Sequence, residues 1–202
     1  MLNQSTQIGA VILAAGSSSR LGTPKQLVTH NGTNLLEQTI QAVRSASNGP
    51  ILIVTGAHAE RIEATLSSLT QKNIRIHRNT NWESGMGNSL AHGVSALLEN
   101  APHLSAILVS VCDQLHINAT HIDTLLDRST QEPDRIVASK YGDTIGPPVL
   151  FPKTYFTDLK NCSGDQGAKA ILSRNLNAVV TVDFPNGEVD IDTPDDLKLL
   201  PS

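Results

Sequence analysis

Cysteine is scarce in this sequence, with only Cys112 and Cys162 among its 202 residues. Two cysteines do not make a disulfide framework or a zinc site. Basic charge is not in excess either, and the net charge of −4 argues against nucleic acid as the main partner. Any site for an anion must therefore be a local cluster of cations.

Long apolar runs are also missing, since no stretch approaches the ~18 apolar residues that a membrane span needs. The N-terminal segment MLNQSTQ is polar and has neither a basic segment nor an apolar signal core, so we expect a cytoplasmic protein. No low-complexity tract, internal repeat or linker divides the chain. At this length we expect a single domain over residues 1–202, with its core at about 8–199.

Predicted strands and helices alternate along the chain. The predicted strands are Ile8–Ala14, Ile51–Val54, Ile74–Arg78 (an edge strand), Ala106–Val111, Ile136–Ser139, Pro148–Phe151 and Val179–Asp183. The predicted helices are Leu35–Ser45, His58–Leu69, Asn88–Leu98, Ala119–Arg128, Gly167–Arg174 and Pro194–Leu199. Repeated strand–helix units predict an α/β fold, in which a mostly parallel, mixed sheet lies between two layers of helices.

The stretch Ala10–Gly22, AVILAAGSSSRLG, leads from an apolar strand directly into a loop of small residues. The turn after such a strand is where open α/β sheets bind nucleotides, and small residues let backbone N–H groups approach an anion. Arg20 and Lys25 can then neutralise a polyphosphate. A glycine-serine turn with two solvated cations is the alternative.

Two common phosphate-binding motifs are absent from this loop. A Walker loop needs Lys directly after its last Gly, but here Gly22 is followed by Thr23, Pro24 and only then Lys25. A dinucleotide fingerprint needs G-x-G-x-x-G, and no Gly lies between Gly16 and Gly22.

Carboxylates follow two other predicted elements. Asp113 comes just after the strand Ala106–Val111, so we expect it at the same sheet edge as the first loop, although a turn or N-cap role is an alternative. Period-2 alternation puts Asp190 and Asp192 on one face of their segment. The alternative is that Asp192 or Thr193 caps the helix that follows. Two carboxylates beside a cationic phosphate loop suit magnesium, which leaves its other positions to phosphates and water.

Further glycine-rich segments follow other predicted strands. In residues 79–89, Gly85 and Gly87 would let the backbone approach a ligand, and Asn88 or Ser89 would cap the next helix. Trp82 in this loop reads as a packing residue. Residues 146–151 (GPPVLF) and 164–169 (GDQGAK) supply more turns; a helix start there, with Gly167, Ala168 and Lys169, suits a second anion or is simply polar. We expect His116, near Asp113, to be exposed.

Taken together and in order, these motifs resemble the MobA-like nucleotidyltransferases, and within them the branch that attaches cytidine to the molybdenum cofactor. The motifs are LAAGSSSRLGTPKQ (13–26), SGMGNSL (84–90), VCDQL (111–115), GPPVLF (146–151), GDQGAK (164–169) and DIDTPDDL (190–197). The resemblance implies a Rossmann-like nucleotidyltransferase fold. It also implies transfer of CMP from CTP to the phosphate of molybdopterin-bound molybdenum, with release of pyrophosphate and with a molybdenum hydroxylase as partner.

The resemblance also implies roles for individual residues. Arg20, Lys25 and Asp113 would be catalytic, and Asp113 and Asp192 would bind Mg²⁺. The residues implied for nucleotide binding are Leu13, Ala14, Ala15, Gly16, Arg20, Lys25, Gly85 and Ser89. Residues 146–151 and 164–169 would lie on the side of the pterin acceptor. Guanylyl-transferring relatives usually read LAGG, so Ala15 favours cytidine.

The sequence departs from the family pattern at two places, one in the turn beside Asp113 and one in residues 146–151. Leu115 stands where a Pro usually follows Asp-Gln, and Pro147 stands where some cofactor enzymes carry His or Asn. Two other functions stay open. One is a cytidylyltransferase for another phosphorylated small molecule, such as methylerythritol phosphate. The other is a non-catalytic carrier that hands the molybdenum cofactor to an oxidoreductase.

Overall fold

The computed structural model describes residues 7–67 and 73–200, and within these ranges the chain forms a seven-stranded sheet, a two-stranded hairpin and flanking helices. The strands are β1 (Ile8–Ala14), β2 (Thr29–His30), β3 (Thr33–Asn34), β4 (Ile51–Thr55), β5 (Ile74–Arg78), β6 (Ala106–Val111), β7 (Ile136–Tyr141), β8 (Thr144–Pro152) and β9 (Val179–Asp183). The helices are α1 (Leu35–Ala46), α2 (Ala59–Leu66), α3 (Met86–Asn100), α4 (Ala119–Gln131), α5 (Phe156–Lys160) and α6 (Lys169–Arg174). Short 3₁₀ turns cover Lys25–Leu27, Trp82–Ser84, Lys153–Tyr155, Leu176–Ala178 and Asp196–Leu199.

The main sheet has the strand order β5-β4-β1-β6-β8-β7-β9, and β2 pairs with β3 in a separate hairpin. β8 is antiparallel to β6 and β7, whereas the other pairs of the main sheet are parallel. The chain adds β4 and β5 on one side of β1 and then places β6 on the other side. The carboxyl ends of β1 and β6 therefore form a topological switch point, where α/β sheets bind ligands.

Apolar side chains on both faces of the sheet form two cores. Ile12 of β1 packs into the core that α1, α2 and α4 cover, which includes Leu36 and Ile122. Val11, the preceding residue, packs into the opposite core under α3, α5 and α6. Because successive strand residues point to opposite faces, a continuous apolar run is what a doubly covered strand requires. The predicted three-layer α/β fold with a mostly parallel, mixed sheet is confirmed.

All seven strands predicted from the sequence are present, and β5 lies at an edge of the sheet as predicted. β8 extends well beyond the predicted Pro148–Phe151, because its amino end pairs with β7 across a tight hairpin. An apolar run does not reveal strand direction, so the reversal of β8 is visible only in the structure.

Several predicted helices begin or end at other residues in the structure. α3 begins at Met86, so Asn88 and Ser89 lie in its first turn and neither is its N-cap, which is Gly85. Gly167 does not begin a helix; it has φ +50°, and α6 starts at Lys169. α2 spans Ala59–Leu66, and the predicted positions 68–69 lie outside the described residues.

The predicted C-terminal helix is a 3₁₀ turn, Asp196–Leu199, and neither Asp192 nor Thr193 caps it. The carboxylate of Asp196 instead accepts hydrogen bonds from the backbone N–H groups of Asp192 and Thr193, at 3.0 and 2.7 Å. Asp196 therefore binds the backbone of the residues that precede it, and the Asp192 carboxylate is not used in capping. None of the helices in the described part of the chain is long and apolar enough to cross a membrane.

Candidate active site

The loop after β1 is held in shape by its own polar groups. The backbone N–H groups of Leu21 and Gly22 donate to the Ser18 carbonyl oxygen, and the Ser18 hydroxyl accepts from the N–H of Lys25 at 3.0 Å. Gly22 has φ +77°, a conformation that favours glycine. The amide of buried Gln26 adds two further bonds, because its Nε2 donates to the carbonyl oxygens of Ala14 and Gly16 at 3.1 and 3.0 Å.

Four of the predicted site residues meet at this loop. Lys25 Nζ lies 2.5 Å from Asp113 Oδ2 and 2.7 Å from Asp192 Oδ1, so the ammonium bridges the two carboxylates. Arg20 Nη2 lies 2.7 Å from Asp192 Oδ2. Lys25 and Asp113 are largely buried, whereas the Arg20 side chain is 70% exposed. The sequence predicted that these charges share one edge of the sheet, but not that Lys25 would lie between the two acids.

The ion pairs fix the charge states of the cluster. Burial opposes the charge of Lys25, but the carboxylates of Asp113 and Asp192 outweigh it and raise the pKa of the ammonium. Burial likewise opposes ionisation of Asp192, and Lys25 and Arg20 outweigh it and lower the pKa of this carboxyl. In contrast, desolvation and then repulsion by Asp113 raise the pKa of Asp190 to about 7, although Lys25 opposes this rise.

A short antiparallel ladder brings the acidic segments together. The N–H of Ile191 donates to the Asp113 carbonyl oxygen at 3.2 Å, and the N–H of Leu115 donates to the Val189 carbonyl oxygen at 3.0 Å. Leu115 also buries its side chain with Leu21 and Ile191. A proline at position 115 has no N–H and could not make the second of these bonds. Leu115, in place of the family's usual proline, therefore adds a backbone hydrogen bond beside Asp113.

A cleft of about 280 Å³, which we call the first cleft, lies beside the ion pairs. The predicted nucleotide-binding residues that line it are Leu13, Ala15, Gly16, Lys25, Gly85 and Ser89. Asp113 lines it too, together with Trp82 and Asp165, which the sequence did not predict there. The side chain of Ala14 packs into the opposite core, and only its carbonyl is tied to the loop. Arg20 does not line the first cleft, and its link to the site is the ion pair with Asp192.

The two glycine-rich loops touch each other. Gly87 N–H donates to the Gly164 carbonyl oxygen at 2.7 Å, and a Cβ on Gly87 would lie within 2.8 Å of Ser163 backbone atoms. Gly85, at φ +99°, likewise approaches Gly164. The close approach predicted for Gly85 and Gly87 is thus to another backbone segment. Gly85, which lines the first cleft, and Gly87 thus let the start of α3 pack closely against residues 163–165.

Buried Asn79 organises the start of α3, which sequence reasoning missed. Its Nδ2 donates to Asn88 Oδ1 and Ser89 Oγ at 3.0 and 3.1 Å, and its Oδ1 accepts from the N–H of Asn81. Because Asn is common in turns, its position after a strand carries no particular signal. Trp82 packs against the core as predicted and also borders the first cleft.

A second cleft, of about 400 Å³, adjoins the first and shares Leu13, Met86, Val111, Asp113 and Asp165 with it. Apolar atoms form most of its exposed wall, but seven of its thirteen lining residues are polar or charged. The residues found only in the second cleft are Val109, Gln114, Tyr141, Pro147, Gln166, Ala168, Lys169 and Asp190. Pro147 of residues 146–151 and four residues of 164–169 thus contribute to it. His116 is exposed and borders neither cleft.

The acidic residues fit a divalent cation that arrives with phosphates. Asp113 Oδ1 is buried and has no hydrogen-bond partner in the described residues, so it is an acceptor that remains available. Among residues 7–67 and 73–200, no group of three or more His, Cys, Asp and Glu forms a complete metal cage. Mg²⁺ binds through one or two carboxylates plus phosphates and water, and Asp113 with Asp192 meets that need.

The chain matches the family model of the MobA-like NTP transferase domain over residues 10–179. It is 30% identical to nicotine blue oxidoreductase of Paenarthrobacter nicotinovorans over 96% of both chains. It is 29% identical to purine catabolism protein PucB of Bacillus subtilis (strain 168) over 94% of both chains.

Solved structures give the same fold. Rv0371c of Mycobacterium tuberculosis H37Rv is 26% identical, with a TM-score of 0.79 over 96% of this chain and 97% of that one. The manganese complex of Rv0371c has a TM-score of 0.76 at 24% identity, over 96% of this chain and 98% of that one. The family match contains the first loop, both glycine-rich loops and Asp113, whereas Asp192 lies beyond it. The chain belongs to the MobA-like NTP transferase family and is a nucleotidyltransferase.

Proposed function

We propose that this protein is a cytoplasmic enzyme that transfers CMP from CTP to the terminal phosphate of the molybdenum cofactor and releases pyrophosphate. The cofactor would then pass to a molybdenum hydroxylase. The observation that carries the proposal is the ion-pair cluster of Arg20, Lys25, Asp113 and Asp192 beside the first cleft. It supplies cations for a triphosphate and carboxylates for a metal in one place.

The first cleft is the place proposed for CTP. Its floor is the loop after β1, where Gly16 and Ser17 have small side chains that let the nucleotide approach the backbone. Gln26 holds this loop from below, so the backbone is already ordered when the ligand binds. Ala15, which favours cytidine in the resemblance, lines the same cleft.

The second cleft suits a flat heterocycle that carries a phosphate. Its walls include Leu13, Val109, Val111 and Pro147, which offer apolar surface to a ring. Lys169 lies at the same cleft and can attract the acceptor's anionic group. The apolar part of the wall supports an acceptor that carries a ring, such as a pterin phosphate. A polyol phosphate such as methylerythritol phosphate would use only the polar lining residues and would leave this apolar surface uncovered.

The proposed transfer reaction depends on charged side chains placed around the triphosphate. The acceptor phosphate is already anionic, so the transfer needs no strong general base. Arg20 and Lys25 would stabilise the negative charge that develops on the triphosphate, and the clefts would align acceptor oxygen, α-phosphate and leaving pyrophosphate. Asp113 and Asp192 would hold Mg²⁺, which when bound neutralises phosphate charge and orients the reacting oxygens.

Two other functions compete with this proposal. The name of one relative describes an oxidoreductase, but this sequence has no G-x-G-x-x-G fingerprint after its first strand. A cofactor carrier is the other alternative. A carrier has no need for the buried Lys25–Asp113 pair beside a phosphate loop, and the presence of that pair favours catalysis.

Pyrophosphate release tests the proposal directly. The purified protein would be assayed with Mg²⁺ and CTP, GTP or ATP, each with and without the molybdenum cofactor. We expect release only with CTP and cofactor together. A preference for GTP would contradict the cytidylyl assignment. Binding of the cofactor without release from any nucleotide would favour the carrier, and nicotinamide-dependent reduction of a dye would favour the redox enzyme.

A further inference from the structure

Gln114 lies between Asp113 and Leu115 and is 3% exposed. Its side-chain Nε2 donates to the Pro147 carbonyl oxygen at 3.0 Å and to the Gly187 carbonyl oxygen at 2.9 Å. Only the NH₂ end of an amide can donate, so two carbonyl partners fix which end faces them. The orientation of the Gln114 amide is therefore determined by its neighbours.

The other end of this amide has no donor. Gln114 Oε1 is buried and accepts no hydrogen bond from any residue that the structure describes. Buried polar atoms in native proteins are nearly always paired, and leaving one unpaired is costly. Gln114 also lines the second cleft, and although Tyr141, Gln166 and Lys169 of the same lining carry donors, none of them donates to Gln114 Oε1. A ligand in that cleft is the natural source of the missing donor.

Gln114 also stands one residue from the reacting centre. Asp113 lines both clefts, and its carboxylate is paired with Lys25. An acceptor whose phosphate lies near Asp113 and Lys25 would therefore place its ring system along the second cleft, near Gln114. The apolar walls favour a flat heterocycle there, and the donor that such a ring carries is an N–H group.

We propose that Gln114 Oε1 accepts a hydrogen bond from an N–H group of the acceptor's heterocycle, which makes Gln114 a specificity-determining residue. This inference rests on the proposed function, because it assumes that the second cleft holds the acceptor. It goes further by requiring a ring N–H or amino group and by naming the atom that recognises it. Pro147 and Gly187 hold that atom in place.

The test is a double-mutant cycle in which one change is made in the protein and the other in the substrate. Wild type and Gln114→Met would be assayed for pyrophosphate release with CTP and a pterin phosphate. Two counterparts of that pterin would be included, one methylated at the ring N–H and one without the exocyclic amino group. With wild type we expect one counterpart to lose about tenfold or more in kcat/KM, the cost of an unpaired buried acceptor. With Gln114→Met, the same counterpart should lose little more than the parent pterin.

Matched variants separate recognition from packing. Gln41→Met changes an exposed glutamine of α1 that lines neither cleft, and it should keep both the wild-type rate and the wild-type preference among the pterins. Gln114→Asn withdraws the oxygen but keeps an amide, and it serves if the methionine variant does not fold. The CTP affinity of each variant would be measured as well, and an unchanged value would show that the first cleft is intact.

The outcomes are distinct. If the losses from the protein change and the substrate change simply multiply, Gln114 does not contact the donor and this inference is wrong while the proposed function stands. The same holds if wild type does not discriminate among the pterins. If wild type turns over no pterin phosphate at all, the proposed function fails and this inference fails with it.

Discussion

The two clefts are built in different ways. The first cleft lies at the ends of parallel strands, and its loop is fixed by hydrogen bonds from Ser18 and Gln26 and by the ion pairs of Lys25. The second cleft is bounded by the antiparallel strand β8 and has an apolar wall of Leu13, Val109, Val111 and Pro147, with polar and charged side chains around it. The first cleft is therefore defined by ion pairs and main-chain geometry, and the second by an apolar wall beside separate polar groups.

Under the proposed function, this difference separates the chemistry of transfer from the recognition of the acceptor. A change in the first cleft removes charges that any nucleotidyl transfer needs, so it should lower the rate for every acceptor. A change in the second cleft should alter which acceptor is used. Three experiments probe these regions, in order of decreasing expected effect.

The largest effect is expected for Asp113→Ala. This variant removes a carboxylate proposed to hold the metal and leaves Lys25 with Asp192 alone, so we expect the rate to fall about 10²-fold or more while the fold persists. Steady-state pyrophosphate release and circular dichroism would measure both. Asp195→Ala, an exposed acid paired with Lys198, is the matched control and should keep its activity. Near-normal turnover of Asp113→Ala would remove Asp113 from the metal site.

A smaller effect concerns stability behind the second cleft. His121 is buried, stacks on Phe184 with ring centroids 4.1 Å apart, and lies 2.8 Å from Ser139 Oγ. The Ser139 hydroxyl donates to the Pro148 carbonyl oxygen at 2.7 Å, so His121 Nε2 carries the proton in their shared bond. Burial lowers the pKa of His121 from 6.5 to about 4.

The unfolded chain therefore binds a proton that the folded protein excludes. The contribution of His121 to the free energy of unfolding should not change with pH above 6.5. As the pH drops from 6.5 to 4, the free energy of unfolding should fall by at most about 3 kcal/mol. Urea unfolding at pH 7 and pH 5 would measure the change. His121→Gln cannot titrate and should show a flatter pH dependence. Equal slopes for the two proteins would mean that His121 is not the group responsible.

The smallest effect is expected at the contact between the two glycine-rich loops. A methyl group on Gly87 would press on the backbone of Ser163, so Gly87→Ala should destabilise the protein by about 1–3 kcal/mol, even though Ala favours helices. Gly16→Ala is the control for stability, because no atom of the described residues lies within 4 Å of its added Cβ. Thermal unfolding of both variants would compare them. Equal melting temperatures would show that the loops are not held at this distance.

The two clefts also differ in how far the sequence predicts them. Asp113 and Lys25 could be placed at one sheet edge because each follows an apolar strand, and parallel strands end at the same edge. Gln114 and Tyr141 could not, because the direction of β8 and the fold of residues 187–190 bring their partners near. The segment Pro148–Phe151 reads as a strand but carries no sign of its direction. The contact between Gly87 and Ser163 is equally invisible, since it joins two loops that are distant in the chain.

The reversal of β8 has a consequence for how such a protein can change over time. Because β8 runs against its neighbours, the turn between Tyr141 and Thr144 lies at the ligand edge of the sheet, together with Pro147. Hairpin turns tolerate insertions and substitutions more readily than buried strands do. If the second cleft holds the acceptor as proposed, a change in this one hairpin would alter the choice of acceptor, while the loops that carry Lys25 and Asp113 keep their sequence and the transfer reaction is inherited intact.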